Sequence, residues 1–250
     1  MNDAQKSFPD FPRPVPDGSR KDIKSHMGES RKPVPVLYQD QFYVAFDKPP
    51  GLLVIPSPKK EKKTLLSLVN EQFPKSENEG RLHPCHRLDR DTSGVILFAR
   101  GKKNQQIMME EFHRRRIQKV YIAFVHGKMK NPQGEIKSAI TDFDGRKFDR
   151  GFSRKMSVTR YKVLSFKRHF SVVEVYPLTG RTNQIRIHFS EIGHPLVGER
   201  KYAFAKDYPL KFKRTALHSR DLSCLHPFYK KQIHIHSPLP KDMTEFLNQN

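Results

Sequence analysis

An α+β domain built on a largely antiparallel sheet is the fold class this sequence predicts, and three features carry the prediction. Short runs rich in β-branched and aromatic residues recur along the chain. Most are joined by connections of hairpin length, and the segments with helical spacing are few, short and scattered among them. The sequence contains no internal repeat.

Residues 36–38, a polar turn over 39–41 and residues 42–46 form the first expected hairpin. The break Lys48-Pro49-Pro50-Gly51 follows, where two prolines and a glycine hold a tight, non-repetitive backbone. A rigid turn is the expected role of Lys48, and residues 52–55 resume a short apolar strand. Thr64 caps a helix whose apolar positions Leu65, Leu68, Val69 and Phe73 fall at helical spacing, with Pro74 as its stop. Residues 95–99 are a continuous apolar run of strand length, hinged at Gly94 to the polar stretch before it. Asn104 opens a second helix with Ile107, Met108 and Phe112 inward. It closes on Arg114-Arg115-Arg116, cations that suit a helix C-terminus and could equally track phosphates. Residues 120–125 form a strand, 127–155 a hairpin excursion and loop, and 156–164 with 170–176 a pair of strands. Pro177 breaks that ladder just before Gly180-Arg181. A helix beginning at Thr182 or Asn183 then buries Ile185 and Phe189 and stops at Gly193, with Pro195 beyond. Residues 216–225 and 232–236 are late strands, and 242–247 a closing helix.

At 250 residues and 36% hydrophobic content the chain can bury a sizeable core. Lys and Arg total 47 against 26 Asp and Glu, a formal net charge of +21. Such a field points to a polyanionic partner, nucleic acid first and an anionic membrane surface second. No apolar run approaches the roughly 20 residues of a spanning helix, and the N-terminus lacks a signal peptide's apolar core. The cytoplasm is the compartment expected by default. Cys85 and Cys224 fall in no C-x-x-C pattern and are expected as free thiols. Residues 1–35, rich in Pro, Lys, Arg, Ser and Asp with little periodicity, are expected as a flexible basic tail ahead of one domain over 36–250.

Ionisable groups crowd one stretch, His83 to Ser93, which runs straight into the apolar strand. Asp89, with Arg87 and Arg90 beside it, is a carboxylate that a loop anchored to a core strand would hold in a cleft, and Asp91 is its rival. By itself an Asp ahead of Thr-Ser-Gly is most often turn chemistry. Among 12 histidines, His234 and His236 would share one face of a strand. Their alternation with Ile233 and Ile235 is what a half-buried strand gives anyway, and spacing suggests no third ligand, so no metal is expected. With no phosphate-cradling glycine loop, no nucleotide cofactor is expected either.

His86-Arg87-Leu88-Asp89, followed by Arg90-Asp91-Thr92-Ser93-Gly94, resembles the signature of the RluA-type pseudouridine synthases. Three further segments match in the same order: Lys48-Pro49-Pro50-Gly51, Lys119-Val120-Tyr121-Ile122-Ala123, and Leu178-Thr179-Gly180-Arg181-Thr182-Asn183-Gln184-Ile185-Arg186-Ile187-His188. The resemblance spans residues 36–248, and its clearest departure is Asn183, where the family usually has histidine. It implies a mixed, mostly antiparallel sheet divided by a cleft, and isomerisation of specific uridines in structured RNA, transfer or ribosomal, to pseudouridine. That reaction needs neither metal nor energy source. The resemblance assigns the catalytic carboxylate to Asp89. Arg181 is expected to pair with it and keep it ionised and aimed. Tyr121 would stack on the flipped uracil or handle a proton, and Arg87 would fill the gap the base leaves. Arg90 and Lys119 are expected to contact RNA, and Arg186 and His188 to contact phosphates or to pack. Some relatives carry a separate N-terminal RNA-binding module, and none is visible here. A monomer acting on RNA is expected. The alternatives are a catalytically silent RNA-binding protein using the same basic cleft, and a hydrolase with Asp89 and Asp91 as paired carboxylates.

Overall fold

The computed structural model describes residues 33–58, 61, 63–74, 80–141, 154–203 and 208–250. The expectation of a flexible tail lies outside the described residues for positions 1–32, as does the loop over 142–153. Order is already present at Val34, which is buried and whose N–H and C=O both bond the Gln72 side chain.

The first hairpin joins β1 (Val36–Gln39) to β2 (Tyr43–Lys48). Asp40 builds its turn, one carboxylate oxygen accepting the N–H groups of Phe42 and Tyr43 at 2.7 Å each. Residues 52–55 are not a strand. Their carbonyls are spent elsewhere: Leu52 accepts from Lys48, and Leu53 and Val54 accept the first free N–H groups of helix α1 (Leu65–Gln72). Thr64 caps that helix reciprocally with Ser67, as expected of a hydroxyl at this position.

β3 (Leu82–Pro84), a short strand the sequence does not advertise, lies along β4 (Ser93–Arg100). Every residue of β4 is buried, which fits its unbroken apolar run. Helix α2 (Lys102–His113) starts two residues before Asn104, whose side chain instead bonds the Arg100 carbonyl. β5 (Gln118–His126), β6 (Gln133–Thr141), β7 (Arg154–Lys167) and β8 (Phe170–Pro177) follow, then α3 (Gln184–Glu191), β9 (Leu217–Leu225), β10 (Gln232–His236) and α4 (Lys241–Gln249).

Among the described residues these strands make one 10-stranded sheet in the order β1-β2-β4-β9-β5-β8-β7-β6, with β3 on β4 and β10 on β9. All the pairings are antiparallel except β4 with β9, which touch only at Ser93↔His218 and Gly94↔Ser219. This narrow contact is the seam between the two halves of the sheet. Gly94 permits it: φ is +105° and a Cβ there would meet the Ser219 carbonyl oxygen at 2.1 Å. The sheet's faces are covered by α1 and α3 through one apolar cluster, α2 through a second and α4 through a third. Arg214 ties α4 to the seam, with Asp242 at 2.6 Å and the carbonyls of Asp91 and Leu217 within reach of the same guanidinium. Both cysteines are free and buried. No helix among the described residues is long and apolar enough to cross a membrane.

Candidate active site

A cleft of about 860 Å³ opens over the seam, between the loop that precedes β4 and the junction of β8 with α3. Asp89 enters it from the loop, Tyr121 from β5, and Arg181 and Arg186 from the β8–α3 junction and α3. Among the described residues that line it, Asp89 is the single carboxylate, whereas Arg87, Arg115, Lys119, Arg160, Arg181 and Arg186 bring positive charge. Asp91 is not part of the lining, which removes the paired carboxylates a glycosidase-like hydrolase would need.

The loop that carries Asp89 is held from below. Lys48 is fully buried, and its ammonium donates to the carbonyls of Pro49 at 2.9 Å, Leu52 at 2.8 Å and Arg90 at 2.9 Å. Burial lowers this lysine to about 7, against the pull of Asp91. Lys48 thus does more than stiffen a turn, because it sews the Pro-Pro-Gly break to the residue after Asp89. His86 supports the other end, its Nε2 accepting the Leu97 N–H at 3.0 Å. Burial pushes that imidazole down to about 3, so it stays a neutral acceptor.

Asp89 keeps a quarter of its side chain exposed. Burial raises its pKa above the usual carboxylate range, opposed chiefly by Arg186 and more weakly by Arg87. The guanidinium set against it is that of Arg186, with Nη1 3.6 Å from Oδ2. Arg186 is itself clamped. Nε and Nη2 each bond a Glu199 oxygen at 2.7 Å, Nη1 bonds Asn183 at 2.9 Å, and the plane lies over the Tyr202 ring. Glu199 is buried. Although burial works against it, Arg186 and the backbone N–H groups of Lys201 and Tyr202 hold its carboxyl below the usual range.

Local backbone explains how Arg186 reaches the acid. Gln184 is buried and its amide bonds Thr179, the Arg181 N–H, the Val158 carbonyl and Thr159, locking the turn before α3. Asn183 then begins the helix from a left-handed φ of 56°. In that frame Asn183 and Arg186 stand three residues apart on one helix face, toward Asp89. Arg181 precedes the helix and lines the cleft elsewhere. The Asn183 amide also donates to the Tyr202 hydroxyl at 2.9 Å, so this position fixes the clamp around Arg186.

Tyr121 is nearly buried, and burial with the charge of Asp89, against a Ser219 hydrogen bond, raises its phenol to about 12. It remains protonated at neutral pH. Lys119 lines the cleft with burial lowering it to about 8, and Arg87 lines it as an exposed side chain. Arg90 lies outside the lining and pairs at the surface with Glu61 at 3.2 Å. His188 is fully buried with Nδ1 2.8 Å from the Thr159 hydroxyl. Two residues beyond Arg186 it points to the opposite side of α3, so it packs against the sheet and lies outside the cleft lining. Of the arginine run, Arg114 is paired with Glu110 and Arg116 with Glu111, while Arg115 at φ 57° turns into the cleft. Arg115 belongs to the run expected either to suit a helix end or to track phosphates, whereas Lys48 and Glu199 were not expected here. Of those two, Lys48 alone carried a sequence signal, through its place in the Lys-Pro-Pro-Gly segment.

Residues 42–191 match the model of the RNA pseudouridylate synthase family. A dual-specificity RNA pseudouridine synthase RluA of Pasteurella multocida is 32% identical over 211 residues, covering 81% of this chain and 92% of that protein. A tRNA pseudouridine synthase C of Haemophilus influenzae is 31% identical over 242 residues, covering 86% and 96%. The solved structure of human RNA pseudouridylate synthase domain containing 4 superposes with a TM-score of 0.72 at 25% identity, covering 86% of this chain and 92% of that one. With a family match over more than half its length, and relatives aligned over most of theirs, this chain belongs to the RNA pseudouridylate synthases, isomerases that act on RNA.

Proposed function

We propose that the cleft isomerises uridine in a compact RNA stem-loop, that transfer RNA is a substrate, and that Asp89 is the catalytic carboxylate. The observation that carries this reading is the one acid among the described residues of the cleft, set 3.6 Å from a guanidinium that other residues immobilise. The reaction breaks the N1–C1′ bond, turns the uracil and forms a C5–C1′ bond. H5 leaves C5 and N1 gains a proton, so nothing is oxidised or reduced.

In this reading Asp89 acts ionised, attacking the ribose or removing one of its protons. Arg186 aims it and keeps it charged. Tyr121 offers an aromatic face to the extruded uracil and, with its phenol protonated, a hydrogen bond to it. Extruding the base costs a few kcal/mol of stacking. Arg87, exposed two residues before Asp89, fills the vacated space with a planar guanidinium. Arg115, Lys119 and Arg181 hold phosphates on the cleft walls. The protein works as a monomer in the cytoplasm, and its basic segment ahead of residue 36 adds affinity without choosing the target. Transfer RNA is favoured because such a stem-loop presents its own shape, and because one relative is named for that substrate and another for dual specificity.

Unmodified transfer RNA and ribosomal RNA transcripts incubated with the protein, then mapped by carbodiimide adducts, test the substrate class. Adducts at a defined uridine of transfer RNA are expected. Modification confined to ribosomal RNA would overturn the substrate, and release of free uracil would overturn the reaction.

A further inference from the structure

β10 takes its ladder from β9, and their register brings together side chains that are far apart in sequence. His236 stands opposite Asp221, and His234 opposite Ser223. Because the side-chain period of a strand is two, all four lie on one face of the ribbon. One oxygen of Asp221, Oδ1, is 2.7 Å from His236 Nδ1 and 3.3 Å from His234 Nε2. These three donor atoms fall within 4.8 Å of one another. The third partner that the His-x-His spacing lacks is thus supplied by the neighbouring strand.

We propose that Asp221, His234 and His236 hold a divalent transition-metal ion of the zinc type, with water in a fourth position. The donor set fits that class, since imidazole favours zinc, cobalt and nickel while magnesium and calcium want oxygen. Zinc bonds of about 2.0–2.2 Å in a tetrahedron place neighbouring donors about 3.3 Å apart. The His234 contact already has that spacing, and the His236 contact needs to open by about half an ångström. The exposed flank of His236, 43% accessible beside 15% for His234 and 5% for Asp221, leaves room for the water.

A second layer of contacts orients the ligands as metal sites require. The Ser223 hydroxyl is 2.8 Å from His234 Nδ1, which turns Nε2 toward Asp221. Arg220 occupies the other carboxylate oxygen at 2.5 Å, leaving Oδ1 for the ion, and its own charge is matched by Glu174 at 2.6 Å. None of the three ligands lines the Asp89 cleft. The ion clips β10 to β9 and stabilises the fold by binding it in preference to the unfolded chain.

The test uses the full chain stripped with a chelator. Zinc titrated by calorimetry should bind with one equivalent at high affinity and raise Tm, and cobalt should give the visible absorption of a tetrahedral site. His234→Ala and His236→Ala should each weaken zinc binding at least about tenfold and remove the Tm shift. His169→Ala, at an exposed turn histidine, should leave both intact. The exposed position of His236 makes loss of folding an unsuitable explanation, and circular dichroism of the metal-free variants checks it. Absence of saturable zinc binding, or variants that bind like the parent, would overturn the proposal.

Discussion

Arg186 Nη1 stands 3.6 Å from Asp89 Oδ2, while the remainder of the same guanidinium is fixed by Glu199 and Asn183. The acid and its partner are therefore positioned before any RNA arrives. Replacing Arg186 by Lys keeps a charge but cannot hold two Glu199 oxygens and face Asp89 together. Arg186→Lys should lower single-turnover rates by about 10²-fold. A variant that reacts like the parent would remove Arg186 from this role.

Arg181 lines the cleft while Arg186 is set against Asp89, and its substitution should act on binding. Arg181→Ala should weaken RNA affinity and reduce the slope of log Kd against log salt by about one. An unchanged slope with a collapsed rate would return Arg181 to the chemistry.

The pH profile follows from the signs of the shifts. Burial raises the Asp89 pKa and Arg186 opposes that rise, and the reactive form is the carboxylate. Activity should therefore fall as pH drops through a value above the ordinary aspartate range of about 3.9. Arg186→Gln removes the opposing charge and leaves Glu199, which itself raises Asp89, less neutralised. The acid limb of kcat/KM should move to higher pH in that variant, and a limb that stays or moves down would contradict the account.

Lys48 donates to three carbonyls from full burial. Lys48→Met fits the space but leaves those carbonyls without a donor, a loss of about 3 kcal/mol or more. Denaturant unfolding should show this loss, and the activity of the folded fraction should fall too, because the Arg90 carbonyl anchors the Asp89 loop. Parental stability in the variant would show that the three bonds contribute little.

Much of the fold was legible because periodicity and punctuation are local. The capped helix α1, the apolar run of β4 and the paired strands β7 and β8 all follow from spacing within a few residues. The strand expected over 52–55 failed because its carbonyls serve Lys48 and the start of α1, partners that composition does not reveal. β3 was hidden because Pro84 and its ionisable neighbours mask a pairing that β4 imposes. At the site, the motif order led to Asp89 and Tyr121, which the structure brings into one cleft. That Arg186 faces the acid was not legible, because it depends on the left-handed Asn183 that sets the phase of α3. Glu199 was invisible for a similar reason: it meets Arg186 through the fold, 13 positions along the chain.

The most direct measurement is tritium released from transfer RNA carrying [5-³H]uridine, since bond formation at C5 expels that hydrogen. The parent should release tritium at a defined site. Asp89→Asn, which keeps the shape of the side chain but loses its charge, should release none while binding RNA within about threefold of the parent, the phosphate contacts being untouched. Tritium release by Asp89→Asn at more than a few per cent of the parental rate would contradict the assignment of Asp89 as the catalytic carboxylate.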